Sequence, residues 1–230
     1  MNGFFENSVF FGVWISLLFY GAGCLLKKKL KMAIFNPLLI AILLTILFLL
    51  CFHIDCAVYQ EGARYLSFLL TPATVCLAVP LYEQMELLKR NWRAVLAGIA
   101  VGVVTSLASV LLLAFVFRFD HTSYVTFLPK SVTTAIGMGV SEELGGHVSI
   151  TVAVIIITGV IGNLFAEMVC KICKITDPMA KGVAIGTASH AVGTAKAMEM
   201  GAVEGAMSSL SIVVSGMFTV VGASIFAHFL

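Results

Sequence analysis

Charged residues are scarce in this chain. Only 11% of its 230 residues are Asp, Glu, Lys or Arg, whereas 60% are hydrophobic. A soluble domain is about 25% charged and about 45–50% apolar. The composition therefore excludes an ordinary soluble domain. It predicts an all-α polytopic membrane protein with about seven or eight membrane segments in a single integral membrane domain.

Catalytic, metal and nucleic-acid motifs are also missing. The sequence has no nucleophile–base pair, no phosphate loop and no basic patch beyond short loops. Cys170 and Cys173 form a C-x-x-C without the second pair that a zinc site needs, so small helix residues are the simpler interpretation. We expect no enzyme, no cofactor, no metal and no nucleic-acid partner. We expect the lipid bilayer to surround the protein.

Hydropathy divides the chain into eight segments. Five of them are long and uncharged or nearly so, and the other three, segments 3, 5 and 7, are interrupted by polar residues, proline or glycine. The predicted segments are Ser8–Leu26, Met32–His53, Tyr65–Tyr82, Ala94–Phe117, Val125–Glu143, Val148–Cys170, Gly182–Met198 and Met207–Leu230.

Basic residues predict the orientation. Most lie in three loops, after segments 1, 3 and 6, and cytoplasmic loops carry such an excess. The first basic run, Lys27–Lys29, follows the first apolar segment, which indicates a retained span rather than a cleaved signal peptide. The N-terminus is then expected outside. Segment 7 is expected to cross the membrane, which places the loop with Glu199 and Glu204 outside, and Met207–Leu230 is expected to finish inside.

Segments 3 and 7 both contain features that interrupt a helix. Segment 3 has Pro72 and Pro80, each of which removes a backbone donor. Segment 7 reads GVAIGTASHAVGTAKAM, a mixture of glycine and polar residues that a lipid-facing helix does not need. Backbone groups freed in lipid must be satisfied by protein or water. Both segments are therefore predicted to be broken helices inside the bundle.

Segment 5 is short and polar and is predicted to enter and leave the membrane on one side. Segments 2–4 and 6–8 then show the same order of long, broken and long segments, with starts offset by about 115 residues. The loop charges place the second copy upside down, as in inverted-repeat transporters, whose substrates bind between broken helices. The halves are approximately 32–117 and 148–230. The alternative is a chance regularity of an eight-segment protein.

Lys130 is the most informative charge, because a lysine inside a membrane is costly unless it is paired or solvated. It could bind a carboxylate, or it could extend to the membrane interface beside Pro129.

His190 could carry a coupling proton together with Glu142, or it could be a neutral packing residue. Glu142 could instead lie in a solvated loop. The full set of candidate substrate-binding residues is Thr71, Pro72, Ala73, Thr74, Lys130, Ser131, Thr133, Thr134, Gly186, Thr187, Ser189, His190, Gly193 and Thr194. Their hydroxyls could bind an anion or only their own helix backbone.

Segment 4 carries small residues at three- and four-residue spacing, namely Gly98, Gly102, Ser106 and Ser109. Such a stripe is typical of close helix packing. It makes a homodimer plausible.

Three motifs resemble the LrgB/CidB family of bacterial membrane proteins. They are LLTPATVCLAVPLYEQ (Leu69–Gln84), LPKSVTTAIGMGVSEELGG (Leu128–Gly146) and GTASHAVGTAKAMEMG (Gly186–Gly201), and the resemblance covers essentially the whole chain. One departure is Ala135, where the family usually has proline.

The resemblance implies two different functions and a multi-pass protein of the bacterial cytoplasmic membrane. One is an antiholin-like role, with a small LrgA/CidA-type membrane partner, in controlling murein hydrolases and lysis. The other is the carriage of small carboxylates such as pyruvate, glycolate or glycerate. Broken paired segments and a buried lysine favour the carrier, because holins are typically small spans without a polar midplane site. Proton coupling through His190 is part of this expectation.

Overall fold

The computed structural model describes residues 10–30, 36–76 and 78–230. These residues form helices and turns, and no strand occurs among them, which confirms the predicted all-α class. The helices are α1 (Phe11–Leu30), α2 (Pro37–Cys51), α3 (Cys56–Phe68), α4 (Leu70–Cys76), α5 (Ala78–Glu83), α6 (Met85–Phe117), α7 (His121–Phe127), α8 (Thr134–Glu143), α9 (Val148–Ile172), α10 (Pro178–Met200) and α11 (Ala202–Phe226), followed by a 3₁₀ turn at Ala227–Phe229.

Five helical stretches in the described part of the chain are long and apolar enough to cross a membrane. They are Phe11–Leu30, Cys56–Glu83, Met85–Phe117, Val148–Ile172 and Ala202–Phe229, while α2 is a shorter apolar helix. This supports a multi-pass membrane protein. The polar helix α10 is not among the five.

The chain divides into two compact units, Met1–Cys76 and Leu77–Leu230. In the first unit α1 packs against α2 and α3, and the Ser16 and Tyr59 hydroxyls lie 2.8 Å apart. Asn36 caps α2 by accepting a hydrogen bond from the Leu38 amide at 2.9 Å. The single integral domain remains a prediction.

Segment 3 is interrupted, as its prolines predicted. It is divided among α3, α4 and α5, and the boundary between the two units falls inside it. Pro72 and Pro80 each lie in the first turn of a short helix, where a missing amide hydrogen costs no intrahelical bond.

Segment 5 forms a helical hairpin, here named the first hairpin, which consists of α7, the turn 128–133 and α8. Thr151 of α9 donates a hydrogen bond to the Thr126 carbonyl in one arm, and lies 2.7 Å from the Ser141 hydroxyl in the other. Gly137 of α8 lies next to Pro129 and Ile155. Both arms therefore lie side by side along the first part of α9, with the tip at the turn.

Helix α10 is also a hairpin, here named the second hairpin, because its backbone reverses at His190. The dihedral angles of His190 are φ 43° and ψ −142°, which are not helical. Ile185 before the reversal and Ala197 after it both pack with Ala166 of α9. A continuous helix would separate these two residues by about 18 Å. The first arm is residues 178–189 and the second arm is residues 191–200.

This reversal corrects the sequence analysis, which treated segment 7 as a crossing with Glu199 and Glu204 on the outer side. In the structure these two glutamates and the basic Lys171 and Lys181 line one pocket. The loop before α11 therefore lies at the same end of the unit as the end of α9. The physical reason is that the two arms pack against each other and α9, so the polar stretch turns back instead of spanning.

The long helices of the second unit alternate in direction. Gly98 and Gly102 of α6 face Val183 and Thr187 in the same order, so α6 runs parallel to the first arm. Gly182 and Gly186 face Glu204 and Ser208 of α11, also in the same order. Helices α6 and α11 are thus parallel.

Helix α9 is antiparallel to both, since its Gly162 faces Ser189 and its Ala166 faces Ile185. The predicted repeat places segments 4 and 8 in opposite directions, and it is not confirmed. A different inverted pair is present. The first hairpin followed by α9 and the second hairpin followed by α11 run in opposite directions.

Candidate functional site

A cavity of about 620 Å³ lies in the second unit between α6, the tip of the first hairpin and the first arm of the second hairpin. Its volume is in the range of small-molecule pockets, about 300–1,000 Å³. Most of its wall is formed by small and apolar side chains. Its polar lining residues are Thr105, Ser106, Ser109, Lys130, Ser131, Asp177 and Thr187.

Lys130 brings a positive charge to this cavity from the tip of the first hairpin. Its side chain is half-buried, and its ammonium donates a hydrogen bond to the Ser131 hydroxyl at 3.0 Å. No ion pair of Lys130 occurs among the described residues of the second unit. The neighbouring Leu128 and Val132 are almost completely buried, so the turn holds the lysine in place from both sides.

The tip of the first hairpin contacts the middle of α6. The Ser131 and Ser106 hydroxyls lie 3.2 Å apart. Ser106 is about 18 Å along the helix from Ala94 and about 17 Å from Phe117, the two ends of its uncharged part. In a hydrocarbon core about 30 Å thick, this depth is near the midplane.

Thr187 forms part of the opposite wall. Its side chain is buried, with an exposed fraction of 5%, and its hydroxyl has no hydrogen-bond partner in the described structure. An unsatisfied buried hydroxyl costs about 1–3 kcal/mol. A ligand with an acceptor oxygen in the cavity would remove that cost.

His190 lies outside the cavity lining and faces α9 instead. Its Nε2 is 3.0 Å from the Ile155 carbonyl oxygen, an acceptor, so Nε2 carries the hydrogen. Its own carbonyl accepts a hydrogen bond from the Thr194 hydroxyl at 2.9 Å, and Thr194 is 2.7 Å from the Ser208 hydroxyl. The imidazole is thus held against α9, and the His190 backbone is linked through Thr194 to α11.

The other predicted site residues of the second unit surround the cavity without lining it. Ser189 packs against α9, Gly186 packs against α11, and Gly193 packs against the first arm. Thr133 and Thr134 begin α8 behind the tip. Glu142 is exposed at the far end of α8, away from His190 at the other tip. The roles predicted for these residues remain predictions.

Thr71, Pro72 and Ala73 belong to α4 in the first unit, where they are exposed. The side chain of Thr74 is not among those that the structure describes. Their predicted share in the site stays a prediction.

Sequence reasoning missed the α6 side of the cavity. The stripe of Gly98, Gly102, Ser106 and Ser109 was assigned to close helix packing and was linked to a homodimer. In the structure these four residues line the cavity. Gly98 and Gly102 face the second hairpin, and Ser106 contacts the tip of the first hairpin. The hydroxyls of Thr105, Ser106 and Ser109 in an uncharged span were the available signal.

Metal-binding side chains do not converge anywhere in the described residues, where no group of three or more His, Cys, Asp or Glu could hold an ion. The polar groups that line the cavity are one ammonium group, several hydroxyls and a carboxylate, that of Asp177. The Asp177 carboxylate caps α10 by accepting a hydrogen bond from the Ala180 amide at 2.8 Å.

Comparison with known proteins gives a consistent family. The LrgB-like family matches residues 16–229. Proteins named antiholin-like protein LrgB from Bacillus mycoides, Bacillus cereus and Bacillus anthracis are each 39% identical over 222 residues, which is 96% of this chain and 96% of the relative. No solved structure matches. With this coverage and the three motifs described above, the chain belongs to the LrgB-like family.

Proposed function

We propose that this protein is a secondary membrane transporter of a small monocarboxylate, with the cavity as its substrate site. The observation that carries the proposal is Lys130, an ammonium group at mid-depth beside a cavity, without an acidic partner in the described second unit. A buried unpaired cation is expensive, and intramembrane ionisable residues usually mark a substrate or ion pathway.

The surroundings of Lys130 support an anionic substrate. A carboxylate would receive charge-assisted hydrogen bonds from the ammonium, and these are roughly twice as strong as neutral ones. Hydroxyls of Ser106, Ser109 and Ser131 line the same space and can donate to the second carboxylate oxygen. Among the residues that line the cavity, Lys130 carries the positive charge that would attract an anion, while the Asp177 carboxylate caps α10.

The architecture of the second unit supports the proposal. Two helical hairpins enter it from opposite ends, and their tips approach each other along α9 between Ile155 and Gly159. Interrupted helices that meet at the midplane are a common way to build a transporter site. The same proposal includes location in the bacterial inner membrane and an N-terminus on the outer side. It also includes a homo-oligomer and a small LrgA/CidA-type partner.

The test is uptake of labelled pyruvate and glycolate into proteoliposomes with purified protein. Lys130→Met keeps the length of the side chain and removes the charge, and we expect it to lower uptake about 100-fold. Lys171→Met, an exposed lysine at the end of α9, is the matched control and should retain uptake. Equal uptake by both variants would contradict the proposal.

Proton coupling through His190 is a separate part of the proposal. A coupling histidine must change protonation during transport, and the Nε2 hydrogen bond to Ile155 leaves Nδ1 as the nitrogen that can accept the proton. If His190 couples protons, His190→Ala should make residual uptake insensitive to an imposed pH gradient. Residual uptake that still follows the gradient would assign the histidine to packing alone.

A second candidate function is regulation of lysis, because the most similar relatives reported above are named antiholin-like. This function predicts that expression changes autolysis or dye leakage from vesicles, and that Lys130→Met leaves the change intact. A lysis effect lost together with uptake in Lys130→Met would instead make it a consequence of transport.

A further inference from the structure

Asn163 is a polar side chain in the middle of α9 that neither the sequence motifs nor the cavity account for. Its Nδ2 donates a hydrogen bond to the Val192 carbonyl oxygen at 2.6 Å. Val192 lies two residues after the reversal at His190, in the first turn of the second arm. A side chain of α9 thus holds the backbone of the hairpin tip.

A second hydrogen bond joins the same two elements, and here the hairpin tip is the donor and α9 the acceptor. His190, at the tip, donates from Nε2 to the Ile155 carbonyl of α9 at 3.0 Å. Ile155 and Asn163 are about 12 Å apart along α9. The tip of the second hairpin is therefore fixed at two points, one before Gly159 and one after Gly162.

The surface of α9 between these points is shaped to receive the tip. A Cβ atom on Gly159 would lie 2.6 Å from Cε1 of His190, and a Cβ on Gly162 would overlap the Ser189 side chain. Any residue other than glycine would displace the hairpin. We call Ile155, Gly159, Gly162 and Asn163 the α9 notch.

The reversal itself needs this support. A positive φ is unfavourable for a residue with a Cβ, and such conformations persist where surrounding contacts fix them. The notch supplies these contacts on one side, and the Thr194 hydroxyl bond to the His190 carbonyl supplies them on the other. The first arm, which carries Thr187 to the cavity, ends at this reversal.

We infer that the α9 notch positions the tip of the second hairpin, and that Asn163 is the positioning residue within it. The inference concerns the hairpin and holds whatever the cavity binds. Under the proposed function, a released tip would displace the Thr187 wall and weaken substrate binding.

The experiment is hydrogen exchange measured by mass spectrometry on the full-length protein, with residues 186–197 as the reporter and residues 124–136 of the first hairpin as the internal control. Asn163→Asp has the same shape but replaces the donor with a charged acceptor opposite the Val192 carbonyl. Asn163→Leu has a similar size and makes no hydrogen bond. We expect both variants to speed exchange in residues 186–197 about tenfold, with the aspartate variant the faster, and to leave the control peptide unchanged.

Two results would overturn the inference. One is unchanged exchange in residues 186–197 of both variants, which would reduce Asn163 to a space-filling residue. The other is equal acceleration in both hairpins, which would indicate general destabilisation. Gly162→Ala provides an independent variant, because its added methyl group should also release the tip without changing Asn163.

Uptake measured on the same variants separates this inference from the proposed function. If the protein carries a carboxylate, Asn163→Leu should raise KM for uptake more than it lowers kcat. If wild-type protein shows no uptake, the proposed function fails, while the exchange result still decides the role of Asn163.

Discussion

The tips of the two hairpins differ in the partners that they give to their ionisable residue. At the first tip, Lys130 lies beside a cavity, and its charge is met by a hydroxyl group rather than by a carboxylate. At the second tip, His190 lies in packing, and its ring and its carbonyl both have partners. The first tip is thus left incomplete without a ligand, whereas the second is completed by the protein itself.

This contrast separates two kinds of polar residue in an apolar protein. A polar group that the fold satisfies contributes to structure, and its loss destabilises the protein. A polar group left unsatisfied lowers stability and is retained for another purpose, such as binding. The sequence analysis gave Lys130 and His190 similar roles, and the structure distinguishes them by their partners.

The largest effect on carboxylate uptake is expected when Lys130 is given an acidic partner within the protein. The Ser106 hydroxyl is 3.2 Å from that of Ser131, to which Lys130 donates, so a carboxylate in Ser106→Asp would lie near the ammonium. We expect it to neutralise the site and to lower carboxylate uptake about 100-fold, measured in proteoliposomes.

Ser106→Asn is the control for this prediction, because it has the same size without the charge. It should lower uptake less than tenfold. Similar losses in both variants would show that size, not charge, matters at this position.

Replacement of His190 should have a smaller effect, and that effect should be on the stability of the protein. His190→Ala leaves the Ile155 carbonyl without its donor and keeps a Cβ at positive φ, so the free energy of unfolding should fall by about 2–3 kcal/mol. His190→Gly loses the same hydrogen bond but accepts the dihedral angle, and it should be less destabilised by about 1 kcal/mol. Chemical unfolding in detergent measures both, and a glycine variant less stable than the alanine variant would contradict the structural role.

The smallest effect is expected at Thr187, a cavity-lining residue whose hydroxyl is buried without a partner in the described structure. Thr187→Val removes a buried polar group of nearly equal shape, so the free energy of unfolding should stay the same or rise by about 1 kcal/mol. If a substrate uses the hydroxyl, KM for uptake should rise about fivefold, whereas Thr187→Ser should remain close to wild type. A valine variant with lower stability and unchanged KM would show that the hydroxyl has an internal partner.

Much of the fold was predictable, because apolar periodicity and interruption are local properties. The helices α6, α9 and α11 lie close to their predicted segments, and segments 3, 5 and 7 are interrupted as their prolines, lysine and glycines predicted. Lys130 was found for the same reason, since an isolated charge in an apolar protein is visible without any structure.

The reversal at His190 was not predictable from local sequence. Histidine has no preference for φ 43°, and the nearest glycines, Gly186 and Gly193, are not at the turn. The conformation depends on contacts with α9 that are distant in sequence, namely Ile155, Gly159 and Asn163. Reading α10 as a crossing followed from counting loop charges, and that error reversed the direction of α11.

The direction of α11 has a practical consequence for experiments on whole cells. The second unit contains three long helices that alternate in direction, α6, α9 and α11, which is an odd number of crossings. Its chain therefore starts and ends on opposite sides of a membrane. If the basic start of α6, with Lys89 and Arg93, is cytoplasmic, a reporter fused after Leu230 would be exported. An alkaline phosphatase fusion there should then be active and a fluorescent-protein fusion dark.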